Sequence, residues 1–314
     1  MIGTGRIDTH QHIVPPAYRK WLTSKVESPA GKAVPEWSPG AALDYMGLAG
    51  IETSILSVST PGVEPGDWVD ARRVAREVNE YAASIVAEHP SSFGFYATLT
   101  LPDVDGALAE AAYALDELKA DGVVLLGNAK GIYLGDRRFD PLVEELNRRK
   151  TVVLVHPTTL PEPAFAYVPA YVADFLLDTT RAALSLARSG SLDRYPDLRI
   201  ILSHAGGFLP FAATRVAPAA SPNGSVEDGL RLLRKFYFDT ALSASEFALP
   251  SLQAFADPGN IIFGSDWPYP TQERCLSFAA ALDQHIDVDH HAVNRGNAEK
   301  LFPRFANLPQ PKAT

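Results

Sequence analysis

Ile7-Asp8-Thr9-His10-Gln11-His12 opens the chain, and Thr151-Val152-Val153-Leu154-Val155-His156 repeats its form halfway along, an extended run ending on histidine. Residues at i and i+2 of an extended segment project to the same side, so His10 and His12 can reach one ion. Arg6-Ile7-Asp8-Thr9 is compatible with a strand. Val14-Pro15-Pro16 stops regular pairing just after it, because proline has no amide hydrogen to donate. A lone His-x-His is a weak signal, since histidine is also a packing residue. It acquires meaning only if further ligands stand at the ends of later strands.

Outward from these two runs, strands and helices alternate. Residues 52–58, 93–99, 122–126, 197–204, 236–239 and 260–266 read as further strands, which makes eight in all. Gly122-Val123-Val124-Leu125-Leu126 is almost continuously apolar, as parallel strands covered on both faces are. Between the strands lie helices. Residues 70–89 place Ala71, Val74, Ala75, Val78, Ala82, Ile85 and Val86 on one face and charges on the other. Helices are also expected at 39–50, 105–120 and 140–149, with a longer one ending near Ser189. Eight alternations read as a (β/α)8 barrel, an α/β fold, here one domain over residues 1–314 with an insertion after strand 1. A doubly wound sheet lacks its glycine-rich turn after the first strand. In the insertion, a short helix is expected after Pro15-Pro16, and residues 23–38 are expected to wall a pocket.

The bulk properties narrow the function classes. Hydrophobic residues make up 46% and charged residues 21% of the 314, which describes an ordinary globular protein. A net charge of -9 argues against a nucleic-acid partner. No apolar run is long enough for a transmembrane helix, and the N-terminus is too polar and short for a signal peptide. One cysteine, Cys275, excludes an intrachain disulfide. A cytoplasmic location follows as the expectation.

Barrel enzymes place their chemistry at the C-terminal ends of the strands. Four of the eight histidines stand there: His10 and His12 on strand one, His156 on five and His204 on six, with Asp266 on eight. Imidazole and carboxylate suit a divalent ion and leave a position open for water or substrate. His89 ends a helix, His285, His290 and His291 lie in a polar segment, and Cys275 reads as packing. Gly206-Gly207 after His204 reads as a simple turn or, more usefully, as a place where absent side chains let a substrate approach the strand ends. Asp8 and Asp239 are placed to hold an imidazole from behind. Residues 127–133 are expected to shape the pocket.

Asp8-Thr9-His10-Gln11-His12, His156-Pro157, Ser203-His204-Ala205-Gly206-Gly207 and Gly264-Ser265-Asp266-Trp267-Pro268 together resemble the amidohydrolase superfamily. More narrowly they resemble its branch of aminocarboxymuconate semialdehyde, γ-resorcylate, 5-carboxyvanillate and 6-methylsalicylate decarboxylases. The resemblance runs from about residue 6 to 305 and takes in Asn297-Ala298-Glu299-Lys300-Leu301-Phe302. It implies one divalent metal bound by His10, His12, His156 and Asp266, with His204 as the acid or base facing the open position. It implies that Arg215 reaches into the neighbouring subunit of a homodimer and holds a substrate carboxylate, for which guanidinium geometry is suited. The chain departs from several aromatic-acid decarboxylases of the branch, which carry Glu where His10 and Gly207 stand. No strand-four lysine is placed to bridge two metals, because Lys130 lies in the following loop. Imidazole ligands favour zinc over manganese.

The expected function is metal-dependent, non-oxidative decarboxylation of a small aromatic or unsaturated carboxylic acid, such as an ortho-hydroxybenzoate like 6-methylsalicylate. Asp266, or water at the metal under His204 control, is expected to deliver the proton. Hydrolysis of a lactone or cyclic amide by the same ring is the first alternative. A ligand-binding barrel without turnover is the second.

Overall fold

Val123 and Leu125 pack outward against helices while Val124 points into a second, inner cluster. The same split recurs on the neighbouring strands: Val153 and Val155 outward with Val152 and Leu154 inward, Ile200 and Leu202 outward with Ile201 inward. This period of two on strands buried on both faces is the signature of a closed barrel with a ring of helices around it. The computed structural model describes residues 3–161, 165 and 167–306. The remaining residues of the 1–314 domain expectation (1, 2, 162–164, 166 and 307–314) lie outside the described residues.

One eight-stranded parallel sheet is formed by β1 (Arg6–His12), β2 (Ile51–Ser57), β3 (Phe93–Thr98), β4 (Gly122–Leu126), β5 (Val152–His156), β6 (Arg199–Leu202), β7 (Tyr237–Asp239) and β8 (Ile261–Ile262). Each strand pairs with the next in sequence. The helices are α1 (Pro16–Lys25), α2 (Pro39–Ala49), α3 (Trp68–Glu88), α4 (Val104–Asp116), α5 (Asp140–Arg148), α6 (Ala170–Arg188), α7 (Ser191–Arg194), α8 (Leu209–Ala220), α9 (Val226–Leu233), α10 (Ala248–Phe255), α11 (Gln272–Gln284) and α12 (Asn297–Leu301). Polar caps set several of their starts. Asp67 accepts from the Asp70 amide at the head of α3, and Asp103 from the Gly106 amide at the head of α4. The Asp67 cap starts α3 two residues before the expected Asp70. Gly50 ends α2 at φ 67, a left-handed conformation that costs glycine least. None of the described helices is long and apolar enough to cross a membrane.

Ile7, Ile55, Val124, Leu154, Ile201 and Ile262 fill the lower half of the barrel, closed underneath by Leu301, Phe302 and Phe305. The upper half is where the polar residues collect. On β1 the pairing with β2 slips between Asp8 and Gln11. One irregularity of this kind reverses the side-chain phase. Ile7 therefore joins the apolar interior, and His10 and His12 still face the barrel axis further up the same strand.

Two expected strands are shorter than read. Residues 197–204 yield only Arg199–Leu202, and residues 260–266 only Ile261–Ile262. The reason lies in what the chain does next. After Ile262 the backbone leaves the β7 ladder and turns to β1. The Thr9 amide donates to the Phe263 carbonyl (3.0 Å), the Asp266 amide to the His10 carbonyl (2.8 Å) and the His12 amide to the Trp267 carbonyl (2.7 Å). These bonds close the barrel. Asp8, fully buried, clamps the closure: its carboxylate accepts from the His10 amide (3.0 Å), the Ser265 amide (3.0 Å) and the Ser265 hydroxyl (2.6 Å). Asp8 thus holds backbone, where the sequence suggested it would hold an imidazole.

Asp8→Ala would strand two buried amides and a hydroxyl at this closure. Unsatisfied buried donors cost about 1–3 kcal/mol each, so the variant is expected to lose about 3 kcal/mol of stability. Chemical denaturation measures this, and a loss below about 1 kcal/mol would mean that the clamp is not needed.

Candidate active site

Five side chains meet on the barrel axis above the inner apolar cluster. His10 and His12 come from β1, His156 ends β5, His204 follows β6 and Asp266 follows β8. His10, His156, His204 and Asp266 each offer a ligand atom, and these atoms lie within 4.8 Å of one another. His12 belongs to the same ring, its Nε2 being 3.3 Å from His10 Nε2 and 3.0 Å from Asp266 Oδ1. The four ligands expected from the sequence, His10, His12, His156 and Asp266, and the expected acid or base His204 are therefore brought together.

His204 and Asp266 do not sit on strands. Both lie in tight turns just past the strand ends, with φ of 54° and 67°. Non-glycine residues adopt this left-handed backbone rarely and at a cost, and they concentrate at functional sites. Gly206 and Gly207 follow His204 with φ of 75° and 66°. An added Cβ would meet the Phe238 ring at 2.9 Å from Gly206 and the Leu176 carbonyl at 2.1 Å from Gly207. The glycines let this turn nest against β7 and α6. The expectation that they chiefly admit substrate is corrected to that extent, although Gly207 does line the cavity.

Each imidazole is held from behind. His10 Nδ1 lies 2.7 Å from Asp239 Oδ2, and His12 Nδ1 3.1 Å from Ser57 Oγ. His156 Nδ1 is 2.8 Å from the Pro157 carbonyl and His204 Nδ1 3.2 Å from the Ala241 carbonyl. Carbonyl and carboxylate oxygens only accept, so the facing Nδ1 carries the hydrogen in His10, His156 and His204. That assigns the lone pair to Nε2. His12 Nδ1 also lies 3.2 Å from the Ser57 carbonyl, which gives it the same tautomer, and the Nε2 atoms of His10 and His12 face each other across 3.3 Å beside the Asp266 oxygen. Lone pairs pointed at one another repel unless a proton or a metal ion lies between them. The donor set and its outer hydrogen bonds fit a divalent ion.

The electrostatics follow from burial and from these neighbours. Burial alone would lower His10, but the Asp239 and Asp266 carboxylates outweigh it and push its pKa up to about 10. Burial lowers His12, and lowers His156 further with help from His12 and His10. Burial would raise Asp266, yet the hydrogen bonds from His10 and His12 hold it well below the usual carboxylate range.

Above the ring opens a cavity of about 680 Å³, touched by His156, His204 and Asp266. Its walls are largely apolar and include the rings of Tyr171, Phe175, Phe208, Phe211 and Tyr269. Pro29, Ala30 and Lys32 of the insertion complete it, so residues 23–38 do wall the pocket as expected. The expectation for residues 127–133 fails: none of them is among the described residues lining the cavity. They form a small hairpin, Asn128–Ala129 with Ile132–Tyr133, held elsewhere by Asn128 donating to Asp178 Oδ1 (2.8 Å).

The family profile described as Amidohydrolase matches residues 7–304. The chain belongs to the amidohydrolase family. A decarboxylase of Penicillium terrestre, macB, is 39% identical over 96% of this chain and 95% of its own length. A 6-methylsalicylic acid decarboxylase of Penicillium expansum is 38% identical over 96% and 98%. The solved structure of an amidohydrolase II is 29% identical, covers 95% of this chain and 100% of its own, and superposes with a TM-score of 0.90.

Within this amidohydrolase, Arg215 is the expected site residue that the fold keeps apart from the ring. It is exposed on α8, does not line the cavity, and forms no ion pair among the described residues. Three contributors escaped the sequence reading. Ser57 is the last residue of β2, and its strand-end position was the available signal. Tyr269, three residues past Asp266, sets its ring edge-on to His12 at 5.3 Å between centroids. The Ala241 carbonyl leaves no mark in sequence, since any residue supplies one.

Asp239→Asn would turn an amide NH2 toward His10 Nδ1 and force the hydrogen onto Nε2. The variant is expected to lose about 10–100-fold in metal affinity with its melting temperature nearly unchanged. Competition against a chelator of known affinity measures it, and wild-type affinity would show that this pair does not set the tautomer.

Proposed function

We propose that this protein is a metal-dependent, non-oxidative decarboxylase of a small ortho-hydroxybenzoate of the 6-methylsalicylate kind. The observation that carries the reading is the ring of four imidazoles and one carboxylate at the floor of an aromatic-walled cavity. Full-length relatives named as decarboxylases, one of them for 6-methylsalicylic acid, support the substrate class.

His10, His12, His156 and Asp266 would hold the ion, and His204 would remain the proton-handling group. His10 and His12 are wholly buried and do not reach the cavity, whereas His204 lines it. A bound divalent ion supplies Lewis acidity toward the oxygens of the acid and its phenol, and imidazole donors favour zinc over manganese in that role. The protein does the rest. The aromatic walls receive a flat ring and exclude water from it. The bond between the ring carbon and the carboxyl carbon breaks, its electron pair stays on the ring carbon, and a proton replaces the departing carbon dioxide. His204 brings that proton: its Nδ1 hydrogen is committed to the Ala241 carbonyl, and its Nε2, left for the cavity, takes up a proton from solvent and passes it to the ring carbon. Asp266, held ionised between His10 and His12, orients the ring of ligands.

A homodimer belongs to the same proposal. Phe211 and Arg215, four residues apart, share one face of α8, and Phe211 is 88% exposed. An exposed aromatic beside an unpaired guanidinium suits a partner copy whose cavity accepts the arginine and whose substrate carboxylate pairs with it.

Elemental analysis of the purified protein is expected to find about one zinc or manganese per chain, lost in His156→Ala. Carbon dioxide release from 6-methylsalicylate is expected to fall at least about a hundredfold in His204→Ala. A product heavier by one water, or normal turnover in that variant, would overturn the reading. Arg215→Ala is expected to raise KM about tenfold with a smaller change in kcat. An ultracentrifuge run that finds a monomer at assay concentration would remove the shared arginine.

A further inference from the structure

Lys32 is the one half-buried cation on the cavity wall among the described residues. The other cation there, Arg274, is exposed in the first turn of α11. The Lys32 ammonium donates to the Tyr269 carbonyl at 3.0 Å and stands 4.7 Å from the centre of the Tyr171 ring. It forms no ion pair among the described residues. Asp266 is the one carboxylate lining the cavity among the described residues, and His10 and His12 take it up. An ammonium has three donors, and a carbonyl with an aromatic face satisfies only part of that capacity. A partly desolvated charge without a counter-ion is a cost that a bound anion removes.

The placement is built into the backbone. The turn before Lys32 runs Pro29–Gly31, with Ala30 at φ 52 and Gly31 at φ 84. A Cβ on Gly31 would come within 2.9 Å of the Pro169 Cβ ahead of α6. This left-handed pair seats the insertion against α6 and sends the lysine stem across to the loop after β8. Tyr171 on α6 and the Tyr269 carbonyl then fix the ammonium over the cavity from two other segments.

We propose that Lys32 is the in-chain anion-binding residue of this cavity, pairing with the carboxylate of an aromatic acid and thereby selecting acids over uncharged aromatics. The inference rests on the substrate class of the preceding subsection but not on turnover. It adds a contact that a single chain supplies for itself, distinct from the arginine offered across a dimer.

The test uses the metal-loaded protein and two ligands of one shape and different charge, benzoate and benzamide, with dissociation constants measured by titration calorimetry. Wild type is expected to bind benzoate the more tightly. Lys32→Met, which keeps the aliphatic stem, is expected to weaken benzoate about tenfold or more and to leave benzamide within about twofold. Lys32→Arg is expected to restore most of the difference, and an unchanged melting temperature in both variants reports that the fold is intact. Equal effects on the two ligands, no effect on either, or a wild type without preference for benzoate would each overturn the proposal. Absence of carbon dioxide release from every hydroxybenzoate would instead sink the decarboxylase reading and leave the benzoate–benzamide contrast to judge Lys32.

Discussion

The backbone bonds between β1 and the segment after β8 carry the whole catalytic end of this barrel. They join Thr9, His10 and His12 to residues 263–267, so the same bonds that close the sheet set Asp266 against the two histidines. Asp8 clamps that closure from inside, where no water can replace a lost bond. Fold closure and site assembly are therefore one event. The short β8 reflects this directly: two residues of regular pairing suffice because the following ones pair with β1 instead.

Around the closure each imidazole has one nitrogen tied to an oxygen, and for His10, His156 and His204 that oxygen can only accept. Asp239 does double duty, since its second oxygen accepts from the His204 amide at 2.9 Å while the first faces His10. One buried carboxylate thereby couples the β1 histidine to the turn that presents His204. A ring built in this way resists rotation of any one imidazole, because turning it would abandon a buried hydrogen bond. The cavity above shows the complementary character, with aromatic rings in an apolar wall and, among the described residues, one half-buried ammonium. A flat anion is what those two features have in common.

Much of this was legible in advance. The eight strands were readable because parallel strands buried on both faces leave apolar runs, and the histidines that end them stood out against polar loops. The helix edges were less legible. The Asp67 cap carried α3 two residues beyond the periodic face, and Lys119 at φ 60 helps turn the chain toward β4 after α4 has stopped at Asp116. The role given to Gly206-Gly207 was only half right, since their close neighbours belong to α6 and β7 and no local pattern records those. The hairpin at 127–133 was misplaced for the same reason: Asn128 follows a partner on α6, Asp178, fifty positions away.

What the sequence by itself determined is the alternation of elements, the identity of the five ring residues and the family to which they belong. Those are properties of local periodicity and of residue chemistry at strand ends, and both are written along the chain. Only the tertiary structure decided the rest. It chose which nitrogen of each histidine faces the axis, through Asp239, Ser57 and two backbone carbonyls. It set Asp8 to backbone work and Lys32 over the cavity. Those outcomes depend on groups from distant segments meeting within 3 Å or so, and backbone acceptors and left-handed turns carry no residue code that a linear reading could find.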